Sequence, residues 1–396
     1  MRAFGFEYRL RAPERLISVE DYRRAARRRL PRMVWTYVDG GADDLRSVLG
    51  NREAFDRWWL APSVLTGHDR HALAGDVAGL PVSMPVLLAP TGLTGLTHWS
   101  GDIAATRAAE RSGTAYALST VSSWTIEEVA RAARRPHIFQ LYPGSGGVAA
   151  SLLRRARAAG YRTLFLTVDV PIRGNREGER KEGSYPPTLT PRRALNFARH
   201  SRWTYDTLVH QRISARNLVT GGSVADAVAS VEIQERQLAQ STLNWDDVAW
   251  MRENWPGRVY LKGVLRPDDA EHAIELGLDG VVVSNHGGRQ LDHALPSLEA
   301  LPPIAEAIGD RAEVILDGGV RRGTDVIKAL ALGADAVMIG RPYLYGLAVA
   351  GRHGIEHVLD ILREEIERGL TLLGVRDIHD VNRSHVRPAP ATVTRC

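Results

Sequence analysis

Residues 280–292 read Gly-Val-Val-Val-Ser-Asn-His-Gly-Gly-Arg-Gln-Leu-Asp, an apolar run that ends abruptly in a polar loop. The run predicts a buried strand of a parallel sheet, because such a strand is covered on both faces and shows no alternation of apolar and polar residues. His286 and Arg289 follow at its carboxyl end. A histidine close to an arginine suits the removal of a proton from an anionic substrate that the arginine holds. The alternative is that His286 caps the strand and Arg289 is a solvated loop charge.

Other short β-rich runs occur along the chain in a regular rhythm. They occupy residues 85–90, 115–120, 137–142, 163–169, 259–264, 314–317 and 336–340. Amphipathic stretches rich in Ala, Arg and Leu lie between them, for example at 101–112, 147–159, 267–276 and 322–332. Eight strands that alternate with helices predict the α/β class and a (β/α)8 TIM barrel. An open, doubly wound sheet is the alternative.

The remaining segments flank or interrupt this barrel, which we place at residues 85–385. We predict that residues 1–84 form an N-terminal helical segment packed on the barrel, in which 51–84 is a lid over one end of the barrel. Residues 386–396 are predicted to be a C-terminal tail. Residues 172–244 form a long insertion after the fourth strand, and insertions of this length are usually lids or partner-binding elements. Its stretch 194–203 mixes bulky apolar and basic side chains, which makes it a candidate for membrane-surface contact. A partly ordered lid is the alternative.

Composition narrows the class of protein. The chain has 396 residues, of which 44% are hydrophobic and 24% charged, enough for a full core and too few charges for disorder. Its only cysteine is Cys396, so we expect neither disulfides nor a cysteine metal site, and a reducing compartment such as the cytoplasm. The net charge of +5 could indicate a nucleic-acid or anionic-membrane partner, but it equally suits an enzyme that attracts carboxylates. Given the motifs at the strand ends, we expect no nucleic-acid partner. No apolar run suggests a membrane span or a signal peptide, and no histidine spacing suggests a metal site.

The ends of the predicted strands carry the polar residues of the chain that could do chemistry. Active sites of TIM barrels lie where the strands end, so these residues are expected to meet. The glycine-rich turns after the last two strands, Asp317–Gly323 and Gly340-Arg341, each carry arginine and predict a phosphate cradle. A phosphate-bearing organic cofactor that supports redox chemistry fits these residues best.

Three motifs then identify a family resemblance. The segments Ser284–Asp292, Leu316–Asp325 and Lys328–Ala334 strongly resemble the FMN-dependent α-hydroxy-acid oxidases and dehydrogenases, over about residues 18–385. The chain looks most like the mandelate dehydrogenase branch of that family. The stretches that suggest this branch are Pro90–Leu93, Arg202-Trp203, Asn244-Trp245 and Tyr343–Leu347.

The resemblance implies a role for each matching residue. His286 is the base, Asp169 stabilises its imidazolium, and Lys262 lies by the flavin N1 and C2 carbonyl. Arg176 and Arg289 bind the substrate carboxylate, and Tyr37 and Tyr142 hydrogen-bond the carboxylate and hydroxyl. The implied FMN contacts, beside Lys262, are Pro90, Thr91, Gly92, Ser119, Gln140, Thr167, Ser284, Asp317, Gly318, Gly319, Arg321, Gly340 and Arg341. Several of these residues also have a structural alternative. Tyr37 and Tyr142 could be core packing, Lys262 an ordinary charge at a strand end, and Asp169 a cap of the next segment.

The implied reaction is oxidation of an (S)-2-hydroxy acid to the 2-oxo acid, with hydride passing to flavin N5. Val121 stands where glycolate oxidase looks to carry a tryptophan, so we expect a bulky or aromatic, mandelate-like acid. Alternatives are the same chemistry on a natural-product biosynthetic intermediate, and a catalytically silent flavin barrel. The electron acceptor is oxygen or a quinone, and the resemblance suggests a homotetramer. The expected location is the cytoplasm, with peripheral contact at the inner membrane surface as the alternative.

Overall fold

A computed structural model describes residues 16–67, 71–134, 138–142, 147–184, 188–240 and 243–390. The strands are β1 Trp58–Leu60, β2 Gly75–Val77, β3 Leu80–Val82, β4 Val86–Leu88, β5 Ala117–Ser119, β6 Ile138–Leu141, β7 Thr163–Thr167, β8 Arg258–Val264, β9 Gly280–Val283, β10 Glu313–Asp317, β11 Ala336–Ile339 and β12 Val386–Pro388.

The strands β4 to β11 form one parallel sheet that closes on itself. Neighbours in the chain are neighbours in the sheet, and β11 pairs with β4. A parallel bridge between Leu88 and Tyr116 joins β4 to the start of β5, so the sheet is a barrel. The predicted TIM barrel is confirmed and the open, doubly wound sheet is wrong. Each of the eight predicted runs contains one of these strands, although His137 lies outside the described residues.

Side chains of the barrel strands point alternately inward and outward. In β9, Val282 packs inside the barrel, whereas Val281 and Val283 pack outside with the helices. All three are fully buried, which explains why the run shows no polar alternation. The inward layer of large side chains includes Phe165 and Tyr260, whose rings lie 5.4 Å apart. The barrel is therefore filled, and its strands can hold a site only at their ends.

The hairpin β2–β3 closes the amino-terminal end of the barrel. Its residues Val77, Ala78 and Leu80 belong to the cluster inside the barrel. Ala78 also accepts a hydrogen bond from the Thr163 hydroxyl at 2.8 Å, and its N–H donates to the Glu313 carboxylate at 2.9 Å. This hairpin lies within the segment 51–84 that we predict to be a lid. The opposite, carboxyl-terminal end carries the polar loops and the insertion.

Helices surround the barrel, and the described part of the insertion contributes four of them. Helices that match predicted stretches are α1 Val19–Arg29, α2 Arg32–Asp39, α4 Gly101–Arg111, α6 Gly147–Ala158, α12 Pro267–Glu275 and α14 Gly323–Ala331. The others are α3 Arg46–Asp56, α5 Ile126–Ala132, α7 Glu177–Lys181, α8 Pro191–Arg199, α9 Ser201–His210, α10 Val224–Gln240, α11 Trp245–Asn254, α13 Ser297–Ile308 and α15 Arg341–Leu373. Of these, α7 to α10 lie in the insertion. α15 bends at Ala350-Gly351, where the backbone is not helical.

The first residues of the predicted C-terminal tail are anchored to the N-terminal segment. β12 pairs antiparallel with β1, and Val386 is fully buried. The division into segments at 84/85 and 385/386 remains a prediction.

Candidate active site

One cavity opens at the carboxyl ends of the barrel strands, and most of the predicted site residues line it. They come from the ends of β4, β6, β8, β9, β10 and β11, from α2 and from the start of the insertion. The predicted residues on its wall are Tyr37, Pro90, Thr91, Gly92, Tyr142, Arg176, Lys262, His286, Arg289, Asp317, Gly318, Gly319, Arg321, Gly340 and Arg341.

The other predicted residues lie directly behind this wall. Ser119, Gln140 and Thr167 form a buried chain in which the Ser119 hydroxyl donates to Gln140 Oε1 at 3.2 Å and Gln140 Nε2 donates to Thr167 Oγ1 at 2.9 Å. Asp169 is hydrogen-bonded to His286, and Ser284 is hydrogen-bonded to Lys262, and both partners line the cavity. The tertiary structure thus brings all of the predicted site residues to one end of the barrel.

His286 and Asp169 form a partly buried pair, and the imidazole lines the cavity. His286 Nδ1 lies 3.0 Å from Asp169 Oδ1, and Nε2 lies 3.4 Å from the Tyr142 hydroxyl. Burial lowers the pKa of His286, and Asp169 opposes this shift only in part. Burial alone would raise the pKa of Asp169, but the charge and hydrogen bond of His286, together with the charge of Lys262 and a backbone hydrogen bond, bring it below its ordinary value. An ionised Asp169 accepts the Nδ1 proton, which leaves Nε2 free to take a proton from a ligand.

The backbone of His286 is held in an unusual conformation. Its φ is +57°, in the left-handed region that residues other than glycine seldom adopt. The His286 N–H donates to the Ser284 hydroxyl at 3.0 Å, which fixes the turn directly after β9. This turn directs the imidazole back over the end of the strand.

Lys262 places a buried positive charge in the cavity wall. Its Nζ lies 2.8 Å from Asp317 Oδ2 and donates to the Ser284 hydroxyl at 3.1 Å. Burial would lower the pKa of Lys262, but the charges of Asp317 and then Asp169 raise it above its ordinary value. Lys262 therefore carries its charge at neutral pH and faces any group that the cavity binds.

Arg176 and Arg289 form a pair of partly buried cations that line the same cavity as His286. The Arg176 Nε donates to the Arg289 carbonyl at 3.3 Å, and the Arg289 guanidinium lies 5.1 Å from the centre of the Tyr37 ring. Burial, followed by the charge of Arg289, lowers the pKa of Arg176 to about 10. Two partly buried cations that line the same cavity favour an anion between them, and a carboxylate matches guanidinium geometry.

Tyr37 differs in detail from the predicted arrangement. Its hydroxyl donates to the Gly92 carbonyl at 2.9 Å. A carboxylate has no proton to donate, so Tyr37 can bind one only by giving up the bond to Gly92.

The turns after β10 and β11 form a second region that suits an anion. Gly318 and Gly319 have φ of +117° and +85°, and a Cβ at Gly319 would lie 2.1 Å from the Asn51 carbonyl oxygen, so the close turn requires glycine. Burial lowers the pKa of Arg321, and it lowers the pKa of Arg341 to about 10. The buried Nε of Arg341 has no hydrogen-bond partner among the described residues. This unpaired donor, the charges of the two arginines and the small backbone fit the phosphate and ribityl chain of a flavin mononucleotide.

Sequence reasoning missed several residues of the site. Arg173, Val231 and Gln234 line the cavity, and Glu179 lies behind it. The spacing Arg176-x-x-Glu179 indicates that the two side chains share a helix face, but it does not show that Glu179 is the buried carboxylate. Val231 and Gln234 lie on α10 of the insertion, and only the folded chain shows that this helix covers the cavity. No group of three or more potential metal-ligating side chains occurs in the part of the chain described.

This geometry, a carboxylate-binding pair beside a histidine base and a cradle for a phosphate-bearing cofactor, defines a flavin-nucleotide oxidoreductase of the TIM-barrel class. The model of the FMN-dependent dehydrogenase family matches residues 26–388, so the chain belongs to that family and FMN is its cofactor. The family resemblance found in the motifs is confirmed.

Characterised relatives include two kinds of enzyme. The chain is 38% identical over 385 residues to the (S)-mandelate dehydrogenase of Pseudomonas putida, covering 96% of each chain. It is 41% identical over 374 residues to the L-lactate dehydrogenase of Caulobacter vibrioides, covering 93% of this chain and 96% of that protein. A crystal structure of the monotopic membrane protein (S)-mandelate dehydrogenase superposes with a TM-score of 0.90 at 38% identity, covering 94% of this chain and 100% of that one.

Proposed function

We propose that the protein oxidises a bulky or aromatic (S)-2-hydroxy acid, of the mandelate type, to the corresponding 2-oxo acid. The observation that carries this proposal is the pairing of His286 and Asp169 beside Arg176 and Arg289 in one cavity. In this proposal the arginines hold the substrate carboxylate and thereby bring its hydroxyl to His286 Nε2, which takes the hydroxyl proton. FMN, when bound, accepts the hydrogen of the α-carbon and the two electrons.

The remaining predicted residues have supporting roles in this proposal. Asp169 stabilises the imidazolium that His286 becomes, and Tyr142, whose pKa burial raises, stays neutral and donates to the substrate. Lys262 places its charge beside the flavin ring. The backbone of Pro90, Thr91 and Gly92 would contact the flavin ring, with Ser119, Gln140 and Thr167 supporting it from behind. Ser284, Asp317, Gly318, Gly319, Arg321, Gly340 and Arg341 would hold the ribityl chain and phosphate.

Anaerobic bleaching of the flavin tests the function directly. We expect the yellow FMN-loaded protein to lose its visible absorbance when (S)-mandelate is added without oxygen. A silent flavin barrel would keep its colour with every 2-hydroxy acid tried. A panel that includes lactate, glycolate and larger hydroxy acids separates the mandelate-type substrate from a biosynthetic intermediate. Reoxidation of the bleached protein by air, compared with a quinone, identifies the acceptor, and light scattering tests the predicted homotetramer.

Val121 is the residue that we expect to set the size of the substrate. It lines the cavity after β5 and is 8% exposed. Replacing Val121 by tryptophan should lower kcat/KM for mandelate by about 10–200-fold, because bulk in an apolar pocket excludes a large side chain. Glycolate should lose far less. A wild-type protein that prefers glycolate to mandelate would contradict the assignment.

The pKa of His286 predicts how activity depends on pH. His286 accepts a proton only when it is neutral, so kcat/KM should fall as the pH decreases through its pKa. Since burial lowers that pKa, the fall should have its midpoint below the ordinary histidine value of about 6.5. A pH profile of kcat/KM measures this midpoint. A midpoint well above 7 would show that another group controls the reaction.

The insertion is the part of the chain that we propose to contact a membrane surface. On α8 and α9, Leu195, Leu208 and Val209 are more than half exposed, and α8 also carries Arg192 and Arg199. Apolar side chains interspersed with arginine suit a surface of anionic lipid. Trp203, also predicted there, instead donates to the Leu96 carbonyl at 2.7 Å and packs on the barrel. Among the described residues, no helix combines the length and apolar character that a membrane crossing requires.

Vesicle flotation tests this contact. Wild-type protein should float with vesicles that contain anionic lipid, and Leu208→Asp should reduce the bound fraction several-fold, because burying an unpaired charge is costly. Leu372, exposed to 70% on α15, provides the matched control as Leu372→Asp. Equal binding of all three proteins would place the contact elsewhere or rule it out.

A further inference from the structure

A buried carboxylate lies behind the arginines of the cavity and has no part in the chemistry proposed above. Glu179, on α7, is 2% exposed. Its Oε1 accepts a hydrogen bond from Arg289 Nη2 at 3.0 Å, and its Oε2 accepts one from Arg173 Nη2 at 2.7 Å. Arg176 Nη1 lies 3.7 Å from Oε1. One carboxylate thus contacts three guanidinium groups, all of which line the cavity.

Glu179 completes the fixation of Arg289. The Nη1 of Arg289 donates to the backbone carbonyls of Tyr37 at 2.8 Å and Gly40 at 3.1 Å. With the bond to Glu179, three of the five N–H groups of an arginine are used, and two remain for a ligand. The guanidinium is held from two sides, by backbone at Nη1 and by Glu179 at Nη2, which determines where the remaining donors point.

Glu179 also lowers the electrostatic free energy of holding the three arginines together before substrate binds. Arg173, Arg176 and Arg289 carry like charges in a desolvated place, and such charges repel strongly when no anion is near. The lowered pKa of Arg176, caused by burial and then by Arg289, reflects this environment. A fixed internal anion offsets part of the repulsion, and the site for the substrate carboxylate is formed in advance.

We propose that Glu179 is a positioning residue for substrate binding: its reach from α7 holds Arg289 and Arg176 at the spacing that a 2-hydroxy acid carboxylate requires. This inference rests on the proposed function. It assigns Glu179 no contact with substrate or cofactor.

Two substitutions separate the effect of the length of the Glu179 side chain from the effect of its charge. Glu179→Asp keeps the charge but shortens the side chain by one methylene, whereas Glu179→Gln keeps the length and removes the charge. The probe is oxalate, which presents the core of a 2-oxo acid without a side chain, titrated into oxidised FMN-loaded protein and followed by flavin absorbance. We expect both variants to raise the Kd of oxalate and the KM of substrate by at least about tenfold, with kcat changed by less than about threefold.

Glu177→Gln is the matched control, because Glu177 lies on the same short helix, pairs with Lys181 and is 44% exposed. It should bind oxalate like the wild type. The direction of the change in oxalate affinity distinguishes positioning from a purely electrostatic effect. If Glu179 merely weakened the positive field of the arginines, oxalate would bind more tightly to Glu179→Gln and with unchanged affinity to Glu179→Asp. Either result, in protein with normal FMN content, would overturn the inference. If wild-type protein is bleached by no 2-hydroxy acid, the proposed function fails instead.

Discussion

Replacing His286 by alanine is expected to slow the bleaching of FMN by substrate by about 10²–10⁴-fold, the usual contribution of a general base. The imidazole is held by Asp169 at Nδ1, and its Nε2 faces the cavity beside the Tyr142 hydroxyl. Alanine leaves the substrate hydroxyl without a proton acceptor in that place. The FMN content should stay near that of the wild type, since the phosphate region lies on β10 and β11. Anaerobic stopped-flow mixing measures the rate.

The control for this experiment is His353→Ala, because His353 is 76% exposed on α15 and is not part of the cavity wall. Its rate of bleaching should equal that of the wild type. If His286→Ala is reduced at the wild-type rate, His286 is not the base. A loss of rate together with a loss of bound FMN would instead mean that the turn after β9 has a structural role.

Replacing Lys262 by methionine is expected to lower the rate of bleaching by about 10²–10³-fold, the usual effect of removing one preorganised electrostatic partner. Methionine has a similar length but no charge, so Asp317 would lose the ammonium group 2.8 Å away. Removing one partner of a buried ion pair typically costs about 3–5 kcal/mol. We therefore expect weaker FMN retention and a lower melting temperature as well.

Equilibrium dialysis against FMN and thermal unfolding measure these two effects, and Lys181→Met is the control. Lys181 is 74% exposed and pairs with Glu177 on the surface, where ion pairs contribute little. A Lys262→Met protein that holds FMN normally and is reduced at the wild-type rate would remove Lys262 from the site. Normal retention with slow reduction would confine its role to the reaction.

The barrel could be predicted from the sequence because its strands are buried on both faces. A strand such as β9 then appears as an uninterrupted apolar run, and the polar loop after it marks where the strand ends. The helix α13 was harder to predict, since it contains Pro302 and Pro303, which ordinarily interrupt helices. Here Leu301 and Ile304 beside them are fully buried, and packing outweighs propensity.

The contacts of Glu179 with the arginines could not be predicted from a local sequence pattern. Nothing in the stretch Glu177-Gly-Glu179 says which carboxylate faces water, and only the docking of α7 against the loop after β9 buries Glu179 on Arg289. The same holds for Val231 and Gln234, which reach the cavity because α10 folds across its opening.

The sequence by itself determined the barrel, the family and the residues at the strand ends, because each depends on a local pattern: burial of a strand, a glycine in a tight turn, a histidine three residues from an arginine. Tertiary structure alone decided which donors of Arg289 are already used, that Tyr37 donates to Gly92, and which carboxylate lies behind Arg176 and Arg289. These contacts join residues far apart in the chain. Their energies depend on distance and burial in the folded state, which no local pattern encodes.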